Sequence, residues 1–350
     1  MDLHAFLQET TQRDGISGFE KNIFSLLLDS FSPYIDESKE DHLGNLVLYK
    51  RGRDKEAPSI LLCAHMDEIG LIVTKIEDNG FLRFTSLGGF DTRTLPGQAV
   101  TVYGRKSLRG IIGCKPPHLR KTGEKGSGTN LDDLFVDTGL PSEEIKEMVR
   151  VGSLVAMERS FLSLLHSRRA GKALDDRAGI ALLWQCVREL KDINHRANLY
   201  IVATVQEEVG TRGGVVSAYG LSPDIGIAVD VCHGSFPGAA EHEVSSLGKG
   251  PVITRGPNIH PLVAQKLTEV AEEQHLPYQK DVSPGVTGTD ARALQVSREG
   301  IPTGLLSVPL RYMHTSVELV DMEDIKIGGK LLAAFVSEVD SAFAEELSCL

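Results

Sequence analysis

Four short apolar runs in this 350-residue chain stop on or near an acid or a histidine, and they alternate with segments of helical periodicity. Residues 59–64 stop at His65, residues 199–205 run into Glu207-Glu208, residues 225–229 stop at Asp230, and residues 304–308 lead through a short loop to His314. Continuous apolar runs of this length read as strands buried on both faces. Around them, Ile180, Leu183, Val187 and Leu190 line one face of a helix, Leu262, Lys266 and Val270 lie on another, and residues 325–343 form a long amphipathic helix. Such alternation predicts an α/β layer on a mixed, largely parallel sheet flanked by helices. The carboxyl ends of parallel strands share one edge, where ligands bind, so the acids and histidines are expected to converge there.

Between the first of these runs and the rest, the texture changes. From about Gly70 to Glu158 the chain shows short apolar or β-branched segments, 71–75, 81–84, 99–103, 110–112 and 154–157, separated by Gly, Pro and charges. That is the signature of a small β-rich domain. Two domains also suit the length, because single cores stop growing near roughly 250 to 300 residues. The expected architecture is a discontinuous α/β domain, residues 1–68 and 160–350, interrupted by a β-rich insertion at 69–159. Near the start, Ser17 followed by Glu20 has the spacing of a capping box and predicts a helix over about 18–31, with a strand at 45–49 after it. Residues 123–128, Gly-Glu-Lys-Gly-Ser-Gly, lack the preceding strand and the Lys-Ser/Thr ending of a phosphate loop and read as a plain loop.

Composition narrows the partners. With 37 Lys+Arg against 48 Asp+Glu the net charge is −11, which argues against nucleic acid or an anionic membrane as the main partner. No run approaches the roughly 18 apolar residues of a membrane span, and residues 1–14 do not read as a secretory signal. Five scattered cysteines, Cys63, Cys114, Cys186, Cys232 and Cys349, form no C-x-x-C pair and point to reduced thiols. The expected location is the cytoplasm.

Two histidines and several carboxylates at one edge match the ligand preferences of zinc, cobalt or manganese. Singly, each residue has an ordinary explanation: a polar strand end for His65, a helix cap for Asp175-Asp176, a solvated turn for Glu207-Glu208, a loop position for His314. Asp67, two residues after His65, is placed to accept a hydrogen bond from the non-ligating ring nitrogen. Adjacent side chains in an extended segment point opposite ways, so one of Glu207 and Glu208 is free to bind metal while the other handles protons. Two ions sharing a carboxylate would make a hydrolytic device. No Gly-x-Ser-x-Gly elbow is present, and nucleophilic catalysis is not supported.

Eight motifs, in order along nearly the whole chain, resemble the M42 family of dinuclear metalloaminopeptidases, which includes glutamyl and tetrahedral (TET) aminopeptidases. They are Ser17-Gly18-Phe19-Glu20, His65-Met66-Asp67-Glu68-Ile69-Gly70, Lys115-Pro116-Pro117-His118, Gly171-Lys172-Ala173-Leu174-Asp175-Asp176-Arg177, Gln206-Glu207-Glu208-Val209-Gly210, Asp230-Val231-Cys232-His233, Gly288-Thr289-Asp290-Ala291 and His314-Thr315. The resemblance implies a zinc-peptidase-like α/β domain interrupted by a β-barrel-like second domain that mediates subunit contacts. It implies two divalent ions per subunit, zinc or cobalt with manganese as a third option, held by His65, Asp175, Glu208, Asp230 and His314, with Asp175 bridging. Glu207 would be the general acid/base and Asp67 would support His65. Asp176 would start the following helix and pair with Arg177, and His233 is a rival ligand to Asp230. Thr289 and Asp290 either shape substrate binding or form a plain turn. The expected substrates are peptides with a free amino terminus, and the expected assembly is a homo-oligomer, a tetrahedral dodecamer by resemblance. The alternatives are a related deacylase or endo-acting hydrolase, and a non-catalytic, metal-stabilised peptide-binding assembly.

Overall fold

The computed structural model describes residues 1–54, 57–116, 118 and 130–347. The loop expected at 123–128, part of the motif at 115–118 and Cys349 lie outside the described residues. In chain order, helices α1 (Leu3–Gln12) and α2 (Lys21–Phe31) precede strands β1 (Glu37–Glu40), β2 (Leu46–Lys50) and β3 (Ser59–His65). Six strands follow, β4 (Gly70–Ile76), β5 (Leu82–Leu87), β6 (Ala99–Tyr103), β7 (Ser107–Cys114), β8 (Leu134–Asp137) and β9 (Leu154–Met157), with helix α3 (Ser142–Met148) before the last. Then come β10 (Leu162–Ser163), β11 (Arg168–Gly171), α4 (Leu174–Glu189), β12 (Asn198–Thr204), α5 (Arg212–Leu221) and β13 (Ile225–His233). The chain closes with β14 (Val252–Arg255), α6 (Pro261–Glu273), β15 (Gln279–Val282), α7 (Ala291–Gln295), β16 (Thr303–Leu310), β17 (Glu318–Asp321), α8 (Met322–Glu338) and α9 (Ser341–Leu347).

Eight strands form the main sheet in the order β1-β2-β12-β3-β13-β16-β14-β15. Its centre, β12-β3-β13-β16, is parallel, while β1, β2 and the β16/β14 pair are antiparallel. Parallel strands must be covered on both faces, and β16 is buried along its whole length. Two glycines show the two covers. A side chain at Gly226 would strike Leu294 of α7, whereas one at Gly304 of the neighbouring strand would strike Val263 of α6. Helix α8 packs on both α4 and α6, so these three share one face, and α5 packs with α7 on the other. The single tryptophan, Trp184, is buried in α4, stacks on Phe6 at 4.5 Å and donates to the Ser30 carbonyl.

Between β3 and α4 the six strands β4-β5-β8-β7-β6-β9 close an antiparallel barrel. Alternate residues point inward and make a separate core that includes Leu71, Val73, Leu82, Val100, Val102, Val136 and Val155. Strand β8 has no counterpart among the segments expected from sequence. Two helices also differ from expectation. Helix α2 starts at Lys21, with no side-chain cap from Glu20, because Ser17 and Glu20 have partners elsewhere. The expected helix over 325–343 is two helices: Val339 is extended, and the Asp340 carboxylate accepts the Phe343 N–H to cap a new helix, α9. Among the described residues no helix is long and apolar enough to cross a membrane.

Candidate metal centre

The carboxyl ends of β3, β12 and β13 deliver His65, Glu207-Glu208 and Asp230 to one edge of the sheet, the N-terminal turn of α4 adds Asp175, and the loop after β16 adds His314. His65 Nε2 lies 3.0 Å from Asp175 Oδ1, and His314 Nε2 lies 3.4 Å from Asp175 Oδ2 and 3.3 Å from Glu208 Oε2. Ligand atoms fall into two groups, each within 4.8 Å: His65, Asp175 and Asp230, and Asp175, Glu208 and His314. Asp175 belongs to both. The structure thus brings together all five residues that the resemblance assigns as ligands.

His65 Nδ1 donates to the Asp67 carbonyl oxygen at 3.1 Å and lies 3.5 Å from Asp67 Oδ1. In the neutral ring this leaves Nε2 as a bare lone pair facing the Asp175 carboxylate, a contact that calls for a proton or a cation between them. Among the described residues the buried oxygen Asp176 Oδ2 has no hydrogen-bond partner, while Asp176 Oδ1 accepts the Gly179 N–H inside α4. The expected ion pair with Arg177 is not formed: Arg177 is fully buried and its Nη1 donates to the carbonyl oxygens of Thr10 and Arg13. His233 ends β13 in an exposed position and belongs to neither ligand group among the described residues.

The electrostatics follow from crowding acids in a dry place. Burial pushes Asp176, Glu208 and Asp230 well above the usual carboxylate range, and neighbouring acids, Asp175 among them, add to it. Burial also raises the Asp175 carboxyl, but bonds from His314 and His65 together outweigh it and hold the group low. His65 is desolvated, which alone would lower it, yet Asp175 and Asp67 raise it well above the ordinary value. Glu207 is pushed up to about 9, first by burial and then by Asp230, Asp290 and Asp175, with His65 opposing. Nitrogen and oxygen donors, a carboxylate that belongs to both groups, and acids crowded where burial disfavours their charge fit divalent cations.

Sequence reasoning passed over Glu318. This buried acid on β17 accepts the Asp175 N–H at 3.0 Å through Oε2 and the His314 N–H at 2.9 Å through Oε1, so one side chain aligns both segments. Its only sequence signal is an acid four residues after His314. The 288–291 segment is more than a turn: Asp290 is buried, accepts the Thr204 hydroxyl at 2.6 Å and is pushed up to about 6 by burial, while Thr289 lines the cleft. That cleft, of about 520 Å³, opens over the ligand groups and is lined by Glu207, Asp281 and Arg292 among others. The barrel closes one side through Gly88 and Gly89; a Cβ on Gly89 would sit 3.0 Å from His314 Nδ1.

An α/β sheet that presents two histidines and a set of carboxylates at its edge, beneath a cleft, has the donor chemistry of a metal-dependent hydrolase. The chain belongs to the M42 glutamyl aminopeptidase family, whose model matches residues 44–331, and is a peptide hydrolase of that metallopeptidase family. It is 39% identical to a lysyl aminopeptidase from Pyrococcus furiosus over 338 residues, covering 95% of this chain and 96% of the relative. Among solved structures it resembles aminopeptidase APDkam598 from the archaeon Desulfurococcus kamchatkensis, with a TM-score of 0.92 and 37% identity over 99% of this chain and 98% of that one. It also resembles the TET1 peptidase of Pyrococcus horikoshii, described as assembling into a tetrahedron or a large octahedral shell, with a TM-score of 0.84 and 33% identity over 96% and 100% of the two chains.

Proposed function

We propose that this chain is a dinuclear metal-dependent aminopeptidase that removes N-terminal residues from peptides, with Glu207 as general acid/base. The observation that carries the reading is the Asp175 carboxylate, whose two oxygens face separate ligand groups. His65 and Asp230 would hold one ion with Asp175, and Glu208 and His314 the other. When bound, such ions would lower the pKa of water and polarise the carbonyl of the scissile bond. Asp67 fixes the His65 ring, and Glu318 aligns Asp175 with His314. Glu207 lies beside the ligands, and the burial that raises its pKa makes its carboxylate a stronger base for the proton it would take from water and then give to the leaving amine. The acid-rich cleft suits the ammonium end of a peptide.

Residues 1–68 and 160–350 would form the catalytic unit and 69–159 a separate unit, in keeping with the barrel's own core. Assembly into a homo-oligomer, a tetrahedral dodecamer in its fullest form, is supported by the P. horikoshii relative. The four described cysteines are unpaired, in keeping with the reducing cytoplasm. The test is Glu207→Gln, assayed on aminoacyl anilides and on the same substrates with a blocked amino group. It should keep its fold and metal content and lose about 10²- to 10⁴-fold in turnover. Near-normal turnover would refute the role of Glu207, and equal cleavage of blocked substrates by the unaltered enzyme would favour a deacylase or endo-acting hydrolase.

A further inference from the structure

At Thr204 the chain leaves the sheet, and the backbone N–H groups beyond it lose their ladder partners. A buried N–H must find another acceptor. Four in succession find side chains. Val205 N donates to Asn45 Oδ1 at 2.9 Å, Gln206 N to Glu20 Oε1 at 3.2 Å, Glu207 N to Asp67 Oδ1 at 3.0 Å and Glu208 N to Asp67 Oδ2 at 3.2 Å. The acceptors come from three distant stretches of chain and are 0%, 7% and 0% exposed for Asn45, Glu20 and Asp67.

Each acceptor is itself held. The Ser17 hydroxyl donates to Asp67 Oδ2 at 2.7 Å. Glu20 Oε1 also accepts the Gly18 N–H at 2.6 Å, and Asn45 Nδ2 donates to Asp41 Oδ2 and the Gly213 carbonyl, which leaves Oδ1 for Val205. Gln206 sits at φ +56°, a conformation unfavourable for a non-glycine residue unless its surroundings impose it. Ser17 and Glu20 are spaced as a helix capping box, yet neither caps α2; both serve this turn instead.

We propose that Ser17, Glu20 and Asn45 are positioning residues for Glu207, fixing the 205–208 turn through its backbone so that the carboxyl meets the reacting groups. The inference rests on the proposed role of Glu207. A carboxyl displaced by about 1 Å loses much of its value as a proton-transfer group, while ground-state binding of the peptide is little altered.

The test is steady-state kinetics on metal-replete Glu20→Ala, Glu20→Gln and Ser17→Ala, each checked for metal content and thermal stability. Glu20→Ala and Ser17→Ala should lower kcat by about 10- to 100-fold with KM within about twofold. Glu20→Gln keeps the accepting oxygen and should hold kcat within about threefold of the unaltered enzyme. In the Glu207→Gln background, Glu20→Ala should change the residual turnover by less than about twofold, since the group being positioned is gone. Should Glu20→Ala fail to fold, Ser17→Ala, which removes one hydroxyl, carries the test. Unchanged kcat in Glu20→Ala and Ser17→Ala, no rescue by glutamine, or a full loss persisting in the Glu207→Gln background would overturn the inference. An inactive Glu207→Gln beside fully active Glu20→Ala and Ser17→Ala would overturn it alone; a fully active Glu207→Gln would remove the assignment of Glu207 on which it stands.

Discussion

Lys172 sits between the metal-centre segments and is 5% exposed. Its Nζ lies 2.7 Å from Asp14 Oδ1 and 2.8 and 2.7 Å from the two oxygens of Glu68, itself 4% exposed. At an effective dielectric near 20, unit charges this close attract by roughly 6 kcal/mol, most of which offsets desolvation of the three groups. Lys172→Met preserves the apolar stem and removes the charge with its N–H donors, leaving Glu68 buried with the Gly15 N–H as its remaining donor among the described residues. Removing one partner of a buried pair costs about 3–5 kcal/mol. Lys172→Met with Glu68→Gln removes the stranded charge and retains an acceptor for Gly15, so the pair of changes should cost less than about 2 kcal/mol. The assay is equilibrium urea unfolding at fixed protein and metal concentration, followed by the fluorescence of Trp184. A single variant within about 1 kcal/mol of the unaltered protein, or a double variant less stable than the single, would refute the premise that a stranded carboxylate carries the cost.

Gly179 lies in α4, where alanine would ordinarily add about 0.8–1 kcal/mol; its Cβ would instead meet both Asp176 carboxylate oxygens at 2.4 Å, so Gly179→Ala should lower both Tm and kcat, and a higher Tm with full activity would contradict this. Asp324 is fully buried and accepts the Gly248 and Gly250 N–H groups at 2.7 Å each; burial lifts its carboxyl from 3.8 to about 6. The folded protein then holds this proton more tightly than the unfolded chain, so stability falls as pH rises from about 4 to about 6 and is flat above, by about 3 kcal/mol at most. Asp324→Asn should erase that component, and urea midpoints measured at pH 4.5, 5.5 and 6.5 that fall equally in both proteins would exclude it.

The parallel centre of the sheet was legible because β3, β12, β13 and β16 are largely buried on both faces and so are mostly apolar. Their polar residues stand out against that background for the same reason: His65 is the last residue of β3, and Asp230 follows the apolar stretch 225–229 within β13. The barrel was legible as β-rich texture, but β8 was not, since Leu134–Asp137 has only two buried apolar residues and ordinary neighbours. What escaped was everything set by contact rather than periodicity. Glu318 and Asn45 are single polar residues whose importance comes from backbone N–H groups brought to them from far along the chain, and Asp290, which the sequence left open between a substrate contact and a plain turn, takes its buried bond from the distant Thr204 hydroxyl. Ser17 and Glu20 were misleading in a specific way, because capping-box spacing is local and their actual partners are Asp67 and Gln206.

The central claim is that Asp175 is shared between two cations. Anomalous diffraction from crystals loaded with zinc or cobalt should show two peaks per chain, one among His65, Asp175 and Asp230 and the other among Asp175, Glu208 and His314. A single peak, or two peaks that do not share Asp175, would contradict the account.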